Sequence, residues 1–426
     1  MTKKLILPIK GTRDFYPEDM AIRNWLYQTM REVSESFGYQ EYDGPFLESL
    51  DLYAAKSGDE LVKEQSFVFP DRGGDLITLR PELTPSLTRM VAQRQKQLAF
   101  PLRWWSFGPF WRYERPQKGR SREFFQWNVD LIGVGTPEAD AEIAAVIATF
   151  FKKVGLPSNE VVVLVNNRRL MESELISLGI PQQIHPQIFK LIDRREKMKL
   201  SEWEGYASEI GLNNEQRNRL NDLLQNQDLW MKSEELSRFF ACLDALGARE
   251  YVKFAPHIIR GLDYYTGTVF EAHSLTGDVQ RAILGGGRYD NLMADVGGDP
   301  LPGVGFAMGD VVITLLLRQT GHLPDDITKI PASVMITVFD QEHILSSFAL
   351  ASELRKHNLN ILCYPSPDKL TKQFKYADRI GVRLVVVIGP EEIEKDSATI
   401  KDLHSGEQVT IPRQKLPERI HQWLAE

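Results

Sequence analysis

Cysteine is scarce in this chain of 426 residues, in which only Cys242 and Cys363 occur. Two cysteines are too few for a disulfide framework or a cysteine-rich zinc site. Such low cysteine usage is typical of proteins in a reducing compartment. We therefore expect the protein to be cytoplasmic.

Long hydrophobic runs are also missing. No run of 18 apolar residues occurs, although a membrane-spanning helix needs roughly that length. Near the start, Lys3 and Lys4 precede only a short apolar run that ends at Pro8, and this run cannot form the core of a signal peptide. The sequence therefore predicts no membrane partner.

Positive charge is not in excess either. The chain has 51 Lys and Arg against 58 Asp and Glu, which gives a net charge of −7 at pH 7. A partner with a phosphate backbone must therefore be bound by local patches of cations rather than by an overall attraction. The length is sufficient for two or three domains of about 150 residues each.

One such patch lies in residues 112–130, which read RYERPQKGRSREFFQWNVD. Five cations surround a Pro/Gly turn, namely Arg112, Arg115, Lys118, Arg120 and Arg122. After the turn, apolar residues alternate with polar ones up to Leu131, as in a strand with one apolar face. Because guanidinium groups bind phosphate in bidentate fashion, the pattern predicts a polyphosphate site floored by a sheet. A solvated turn remains the alternative.

The rest of the chain divides into segments that differ in composition and in the spacing of apolar residues. Helical spacing of apolar residues predicts helices at about 18–37 and 137–154. Residues from about 168 to 250 are polar and helical in period, and they indicate a helical insertion. Residues 321–331 have the composition of a linker. Beyond them, apolar strands alternate with helical segments, which predicts a small α/β domain with parallel strands.

Several blocks resemble a known family. Residues 112–130 resemble motif 2 of class II aminoacyl-tRNA synthetases, and residues 260–267, RGLDYYTG, resemble a segment characteristic of histidyl-tRNA synthetases. The resemblance extends to KGTRDF at 10–15, LRPELT at 79–84, GGGRYD at 285–290 and PGVGFAMG at 302–309. These blocks follow the family's order and cover most of the chain.

The resemblance implies an α+β catalytic domain with the class II antiparallel sheet and a helical insertion, followed by a C-terminal α/β anticodon-binding domain. The implied boundaries are 1–325, with the insertion at about 168–250, and 331–426. It also implies formation of histidyl-adenylate from histidine and ATP with Mg²⁺, transfer to tRNA(His), and a homodimer. Cations at 369, 372, 375 and 379 fall on one helix face, which is either solvated or in contact with RNA.

The resemblance also assigns site residues. Arg112 and Arg260 are the implied catalytic cations on the two sides of the α-phosphate, and no protein ligand to a metal is implied. The implied ATP-binding residues are Arg112, Glu114, Arg120 and Phe124. The implied histidine-binding residues are Glu82, Thr84, Gln126, Asp130, Tyr265 and Tyr289. From the residues alone, core packing is the alternative for both tyrosines.

The chain departs from the family pattern at two positions. Class II motif 3 carries an arginine that stacks on adenine, and Val312 occupies its place here. Arg318 is six residues further along the helix, which puts it far around the axis. Asp130 also stands where many members have glutamate. Because the motif 3 arginine is missing, the sequence does not specify which residue holds the adenine opposite Phe124.

Two other functions stay open from the sequence. The missing arginine favours a non-catalytic paralogue, such as the histidine-sensing regulatory subunit of ATP phosphoribosyltransferase. Retention of Arg112, Arg120 and Arg260, together with the extra C-terminal domain, favours the enzyme. A general RNA-binding module is the second alternative, and the clustering of the cations on one hairpin argues against it.

Overall fold

The structure is a computed structural model that describes residues 5–54, 65–195, 198–259, 264–277, 279, 281–291, 294, 297–325, 327 and 330–425. The chain forms two compact units, Met1–Pro324 and Asp325–Glu426. In the described ranges, the strands of the first unit form two sheets and those of the second unit form one. The linker composition noted at 321–331 coincides with the border between them.

The first unit is built on two sheets. Its strands in the described ranges are β1 Gln40–Glu41, β2 Leu47–Ser49, β3 Phe67–Pro70, β4 Leu76–Leu79, β5 Leu102–Trp111, β6 Glu123–Ile132, β7 Val161–Asn167, β8 Val252–Phe254, β9 Thr268–Ser274, β10 Leu284–Tyr289 and β11 Gly303–Gly309. In the described part of the chain, eight strands form a sheet in the order β1-β5-β6-β11-β10-β9-β7-β8, and β2-β4-β3 form a small separate sheet. The six central strands of the large sheet are antiparallel.

This sheet is the one that the family resemblance implies, with one difference at its ends. The pairs β1·β5 and β7·β8 are parallel. Parallel neighbours need a long crossover, and between β7 and β8 the helical segment provides it. The hairpin β5–β6 contains the cationic turn, and its pairing extends from Leu102↔Ile132 to Trp111↔Glu123.

Helices cover the sheet. In the described ranges of the first unit they are α1 Pro17–Ser36, α2 Leu50–Ala54, α3 Thr84–Arg94, α4 Pro137–Lys153, α5 Arg168–Ser177, α6 His185–Asp193, α7 Leu200–Glu209, α8 Asn214–Gln225, α9 Glu234–Ala245 and α10 Asp310–Thr320. Helices α1 and α4 agree with the two helices predicted from apolar spacing. Helix α4 buries Phe150, whose ring lies 5.2 Å from that of Trp127 on β6. This packing fixes the apolar face of β6, so its other face points to the site.

The second unit has a five-stranded sheet in the order β13-β12-β14-β15-β16. Its strands and helices are β12 Val334–Ile336, α11 Ile344–Arg355, β13 Ile361–Cys363, α12 Leu370–Arg379, β14 Leu384–Val387, α13 Pro390–Glu394, β15 Ser397–Asp402, β16 Gln408–Pro412 and α14 Leu416–Ala425. The strands β12, β13 and β14 are parallel, as expected from the alternation of strands and helices. The last two strands are antiparallel, because a short turn joins them.

Candidate active site

Two adjoining cavities open on one face of the large sheet. We name the first the Asp130 cavity. Its volume is about 140 Å³. It lies over β6, β11 and β10, and is closed by the segment before α3 and by the two tyrosines that precede β9. The predicted histidine-binding residues all line it: Glu82, Thr84, Gln126, Asp130, Tyr265 and Tyr289.

The second cavity is larger, about 360 Å³, and we name it the Phe124 cavity. It lies beside the cationic turn, at the ends of β6 and β11 and the start of α10. The predicted ATP-binding residues all line it: Arg112, Glu114, Arg120 and Phe124. The structure thus separates the two predicted sets of residues into two cavities.

The two cavities share a border. Arg112 and Gln126 line both of them, and so do Gly285 and Ala307 in the floor. Arg112 follows β5, and its Nε donates a hydrogen bond to the Pro81 carbonyl at 2.9 Å. Its guanidinium carbon lies 5.4 Å from the centre of the Phe124 ring. Arg112 therefore sits where a group in one cavity meets a group in the other.

Asp130 is a buried carboxylate on β6. The Tyr289 hydroxyl donates a hydrogen bond of 2.6 Å to its Oδ1. Burial raises the pKa of Asp130 from 3.8 to about 7, and the hydrogen bond from Tyr289 opposes that rise. Asp130 therefore changes its charge near neutral pH, inside a cavity of polar side chains.

Glycines in β11 make room for this pair. A Cβ at Gly305 would lie 2.2 Å from Asp130 Oδ1, and a Cβ at Gly303 would lie 2.4 Å from the Tyr289 ring. Both separations are far below contact distance. The glycine-rich block at 302–309 is therefore required by the close approach of these two side chains to the backbone.

Arg80 holds the segment that carries Glu82 and Thr84. Its side chain is fully buried, and Nη1 binds Asp43 Oδ1 at 2.6 Å. Its Nε donates to the Pro109 carbonyl at 3.0 Å, which ties the segment to β5. Our sequence analysis gave Arg80 no role. The only signal in the sequence was the position of Arg80 inside the block at 79–84.

Asn128 is a second residue that the sequence analysis missed. It lies on the polar face of β6 between Gln126 and Asp130, and it lines the Asp130 cavity. Its side chain is buried, and Nδ2 has no hydrogen-bond partner among the described residues. The alternation along β6 had already placed Asn128 on this face, so the signal was present in the sequence.

Glu114 and Arg120 form an ion pair across the turn. The carboxylate of Glu114 is 8% exposed, and its Oε1 has no hydrogen-bond partner among the described residues. The family resemblance implies that both residues bind ATP, whereas the structure pairs them with each other. One acceptor of Glu114 is nevertheless left over beside the Phe124 cavity.

The start of α10 carries the departure from motif 3. Val312 lines the Phe124 cavity, and Arg281 lines it as well. Arg318 does not line this cavity, because it lies near Asp19 with an Nη2–Oδ1 distance of 3.3 Å and lines a neighbouring one. The sequence argument against Arg318 therefore agrees with its position. Arg281 was not considered from the sequence.

Asp310 is the first residue of α10 and has a structural contact at the site. Its Oδ1 accepts the Phe125 backbone N–H at 2.9 Å, and its Oδ2 pairs with Arg13 at 2.8 Å. Burial raises the pKa of this carboxyl, and Arg13 opposes the rise. The block at 10–15 is thus tied to β6 next to Phe124.

The structure leaves one catalytic prediction untouched. Arg260 lies outside the described residues, so its predicted position beside the α-phosphate stays a prediction. The following Tyr265 is described and lines the Asp130 cavity. Among the described residues, no group of three or more His, Cys, Asp or Glu side chains could hold a metal ion. The described helices also include none with the length and apolar character of a membrane span.

Comparisons with known families agree with this arrangement. The family model of histidyl-tRNA synthetases matches residues 11–310, and that of the anticodon-binding domain matches residues 333–423. The chloroplastic/mitochondrial histidine–tRNA ligase of Arabidopsis thaliana is 37% identical over 414 residues, which cover 95% of this chain and 84% of that protein. The histidine–tRNA ligase of Haloarcula marismortui is 35% identical, with 96% of both chains covered.

Solved structures give the same result. The chain resembles the crystal structure of histidyl-tRNA synthetase from Nostoc sp. PCC 7120 with a TM-score of 0.82 and 26% identity, over 98% of this chain and 99% of that one. A Bacillus halodurans protein described as an ATP phosphoribosyltransferase regulatory subunit/histidyl-tRNA synthetase has a TM-score of 0.74 at 23% identity, covering 91% and 99%. The latter likeness concerns the fold alone.

Proposed function

Because this chain belongs to the histidyl-tRNA synthetase family and is a histidine–tRNA ligase, we propose that the Asp130 cavity binds histidine and the Phe124 cavity binds ATP. The observation that carries this proposal is the border between the cavities, where Arg112 faces both. A histidine-sensing paralogue needs only the first cavity. The full-length likeness to curated ligases does not favour that alternative.

Histidine is selected by polar groups that have little access to water. In its ionised form, Asp130 accepts the N–H of the neutral imidazole, and Tyr289 orients the carboxylate through its 2.6 Å hydrogen bond. Tyr265 bounds the same cavity. Glu82, Thr84 and Gln126 bind the α-amino and carboxylate groups at the open side. An amino acid without the imidazole N–H leaves the buried carboxylate of Asp130 without this additional hydrogen bond, at about 1 to 3 kcal/mol.

ATP is bound by charge and by an aromatic face. Phe124 stacks on the adenine, and the free Oε1 of Glu114 accepts from the adenine amino group. Arg120 contacts the terminal phosphates, which exchange with Glu114 as its partner. Mg²⁺ enters as part of the MgATP substrate, because it prefers phosphate oxygens and water over an all-protein cage.

Adenylate formation brings one anion to another. A histidine carboxylate oxygen forms a bond to the α-phosphorus, and the bond from that phosphorus to pyrophosphate breaks. Arg112 binds the carboxylate and the α-phosphate together, which orients them and offsets their repulsion. Arg260 is proposed to stabilise the α-phosphate from the other side. In the second step, the hydroxyl of the terminal tRNA adenosine attacks the acyl carbon, and AMP leaves.

The second unit is proposed to recognise the tRNA. The match to an anticodon-binding domain supports this role. On α12, the exposed side chains Lys372, Lys375 and Arg379 follow one another at helical spacing, with Lys369 at its start. Cations spaced along one helix face provide a footprint for an RNA backbone.

The chain is further proposed to act as a cytoplasmic homodimer. Apolar side chains of the small sheet support the dimer, because Leu47, Phe69 and Leu76 are 40 to 51% exposed. Contiguous exposed apolar residues mark interaction surfaces in soluble proteins. Sedimentation of the purified protein tests this part, and a monomer at micromolar concentration contradicts it.

The function is tested by ATP/pyrophosphate exchange with purified protein. Exchange is expected to require histidine and not tRNA(His), and charging of tRNA(His) is expected to follow. A protein ending near residue 325, where the first unit ends, should retain much of the exchange activity and lose most of the charging. Equal loss of both activities in a folded, dimeric truncation contradicts the tRNA role of the second unit.

A further inference from the structure

Arg281 is an arginine of the Phe124 cavity that neither the sequence blocks nor the proposed contacts use. It lies just before β10 and lines the cavity together with Phe124, Gly119 and Val312. Among the described residues, its guanidinium takes part in no hydrogen bond or ion pair. A cation without a partner at the wall of a substrate cavity is available to a ligand.

The strand register places Arg281 across the cavity from Phe124. Gln126 of β6 is opposite Gly309 of β11, and Leu284 of β10 is opposite Met308. Strands β6 and β10 both run antiparallel to β11. Residues that precede Gln126 in β6, or Leu284 in β10, therefore lie beyond the C-terminal end of β11. Phe124 and Arg281 therefore flank the first turn of α10 from opposite sides, with the end of β11 between them.

The side chain of Arg281 leans over this turn toward the cationic hairpin. A Cβ added at Gly119 would lie 3.3 Å from Arg281 Cδ and 3.9 Å from Val312 Cγ2. The two side chains thus approach the same glycine, whose φ of +78° also favours the absence of a side chain. Valine at 312 is short and apolar, which leaves the guanidinium room beside it.

The surroundings of Arg281 favour a flat, apolar ligand surface over a phosphate. The cavity wall that contains Arg281 includes the apolar Ile283, Leu284 and Val311 as well as the charged Glu114 and Arg120. Burial lowers the pKa of Arg281, and the nearby Arg120 lowers it further, while Glu114 raises it. Since Arg120 is the cation nearer to a phosphate role, a second cation beside it suits a ring face. Planar guanidinium groups stack on aromatic faces in this way.

We infer that Arg281 stacks on the adenine of ATP opposite Phe124, and so performs from the segment before β10 the task for which α10 offers only Val312. This inference rests on the proposed binding of adenine at Phe124. It assigns adenine recognition to a sandwich of two residues on opposite sides of β11, one on β6 and one in the segment that leads into β10. The base is then held without an arginine on α10.

The test measures equilibrium binding of AMP and of ATP to the full-length protein. Arg281→Ala is expected to weaken both nucleotides by the same factor, about 10-fold, as for one stacked cation. Histidine binding is expected to stay unchanged. Arg281→Lys is expected to lose nearly as much, because an ammonium has no planar face. Arg318→Ala is the matched control, since that exposed arginine lies outside the cavity, and it should bind both nucleotides normally.

A double variant adds a gain of function. Arg281→Ala combined with Val312→Arg places the guanidinium on α10, and recovery of AMP affinity supports the stacking role. Loss of ATP affinity that greatly exceeds loss of AMP affinity overturns it in favour of a phosphate contact. Unchanged AMP binding in a folded Arg281→Ala protein also overturns it, and so does AMP binding of normal affinity by Arg281→Lys.

Phe124→Ala separates this inference from the proposed function. If that variant binds AMP normally, the proposed adenine site itself is wrong. If Phe124→Ala weakens AMP and Arg281→Ala does not, only the role of Arg281 is wrong. Thermal unfolding of each variant identifies a loss that comes from misfolding.

Discussion

The Asp130 cavity and the Phe124 cavity share a floor but recognise their ligands by different physics. In the first, the buried side chains of Asp130 on β6 and Tyr289 on β10 are hydrogen-bonded to each other. The second is lined by long charged side chains from a turn, of which Arg120 and Glu114 pair with each other. The first therefore selects by desolvated pairing, and the second by charge and stacking. Substitutions are expected to affect them differently.

The largest effect is expected at their border. Arg112→Ala should slow adenylate formation about 1000-fold, as for the loss of a donor present in the transition state. Single-turnover formation of the adenylate measures it. Arg115→Ala is a matched control on the same turn, because Arg115 is exposed and lines neither cavity. A loss below 10-fold in a folded Arg112→Ala protein contradicts a role shared by both cavities.

Arg260 comes next, with an expected loss of about 100-fold in the activation rate for Arg260→Ala. Two cations that flank one phosphate act mainly on the transition state, in which negative charge concentrates at the phosphate. The affinity for histidine should therefore change little. Lysine should restore activity only in part. Single-turnover kinetics beside equilibrium histidine binding decide the question. An unfolded variant instead favours a structural role for Arg260, and unchanged activation refutes the catalytic role.

Asp130→Asn tests whether the Asp130 cavity selects histidine through a buried hydrogen bond. The asparagine can still accept from Tyr289, but it binds the imidazole N–H less well. We expect the KM for histidine in pyrophosphate exchange to rise about 30-fold, within the range for one unmatched buried group. The KM for ATP in the same assay serves as an internal control and should change less than about twofold. Equal changes in both would remove the distinction between the cavities.

The same variant has an opposite effect on stability. Burial raises the pKa of Asp130 to about 7 in the folded protein, so its ionisation is unfavourable there. This penalty is absent well below pH 4, grows as the pH rises and is complete above pH 7. Its ceiling is roughly 4 kcal/mol of unfolding free energy, from the rise above 3.8. Asp130→Asn should therefore stabilise the protein more at pH 8 than at pH 5, as measured by chemical denaturation. An equal effect at both pH values contradicts the raised pKa.

The smallest effect is expected in the Phe124 cavity. Glu114→Gln should raise the KM for ATP about fivefold, since one hydrogen bond weakens and Arg120 loses its partner. The amide can also donate to the carbonyl of guanine, so the preference for ATP over GTP should fall. Exchange assays with both nucleotides measure the ratio. An unchanged ratio would show that Glu114 does not contact the base.

The local sequence pattern was enough to predict which face of β6 lines the Asp130 cavity. The alternation from Phe125 to Leu131 predicted the face on which Gln126 and Asp130 lie, because strand periodicity is local. The family and its fold were identified correctly from blocks in a fixed order. The binding roles of these residues stay predictions.

The rest of the site depends on contacts between distant parts of the chain. The position of Arg281 opposite Phe124 follows from the register of β10, β11 and β6, and no local pattern encodes that register. The pair Arg13–Asp310 joins residues 297 positions apart. Likewise, the burial of Arg80 against Pro109 and Asp43 becomes visible only when β5 is in place. The motif therefore showed that Val312 replaces the motif 3 arginine, but it did not show which other residue could take the place of that arginine.

The glycines of β11 bear on how natural variation in this protein should be interpreted. Gly303 and Gly305 act through empty volume, because a single methyl group at either position would overlap Tyr289 or Asp130. A natural variant such as Gly305→Ala would look mild by chemical similarity, because it adds only one methyl group. It should nevertheless disable the amino-acid side of the enzyme while leaving nucleotide binding in place. In a saturation mutagenesis map, these positions are expected to tolerate less than many residues that touch the substrates directly.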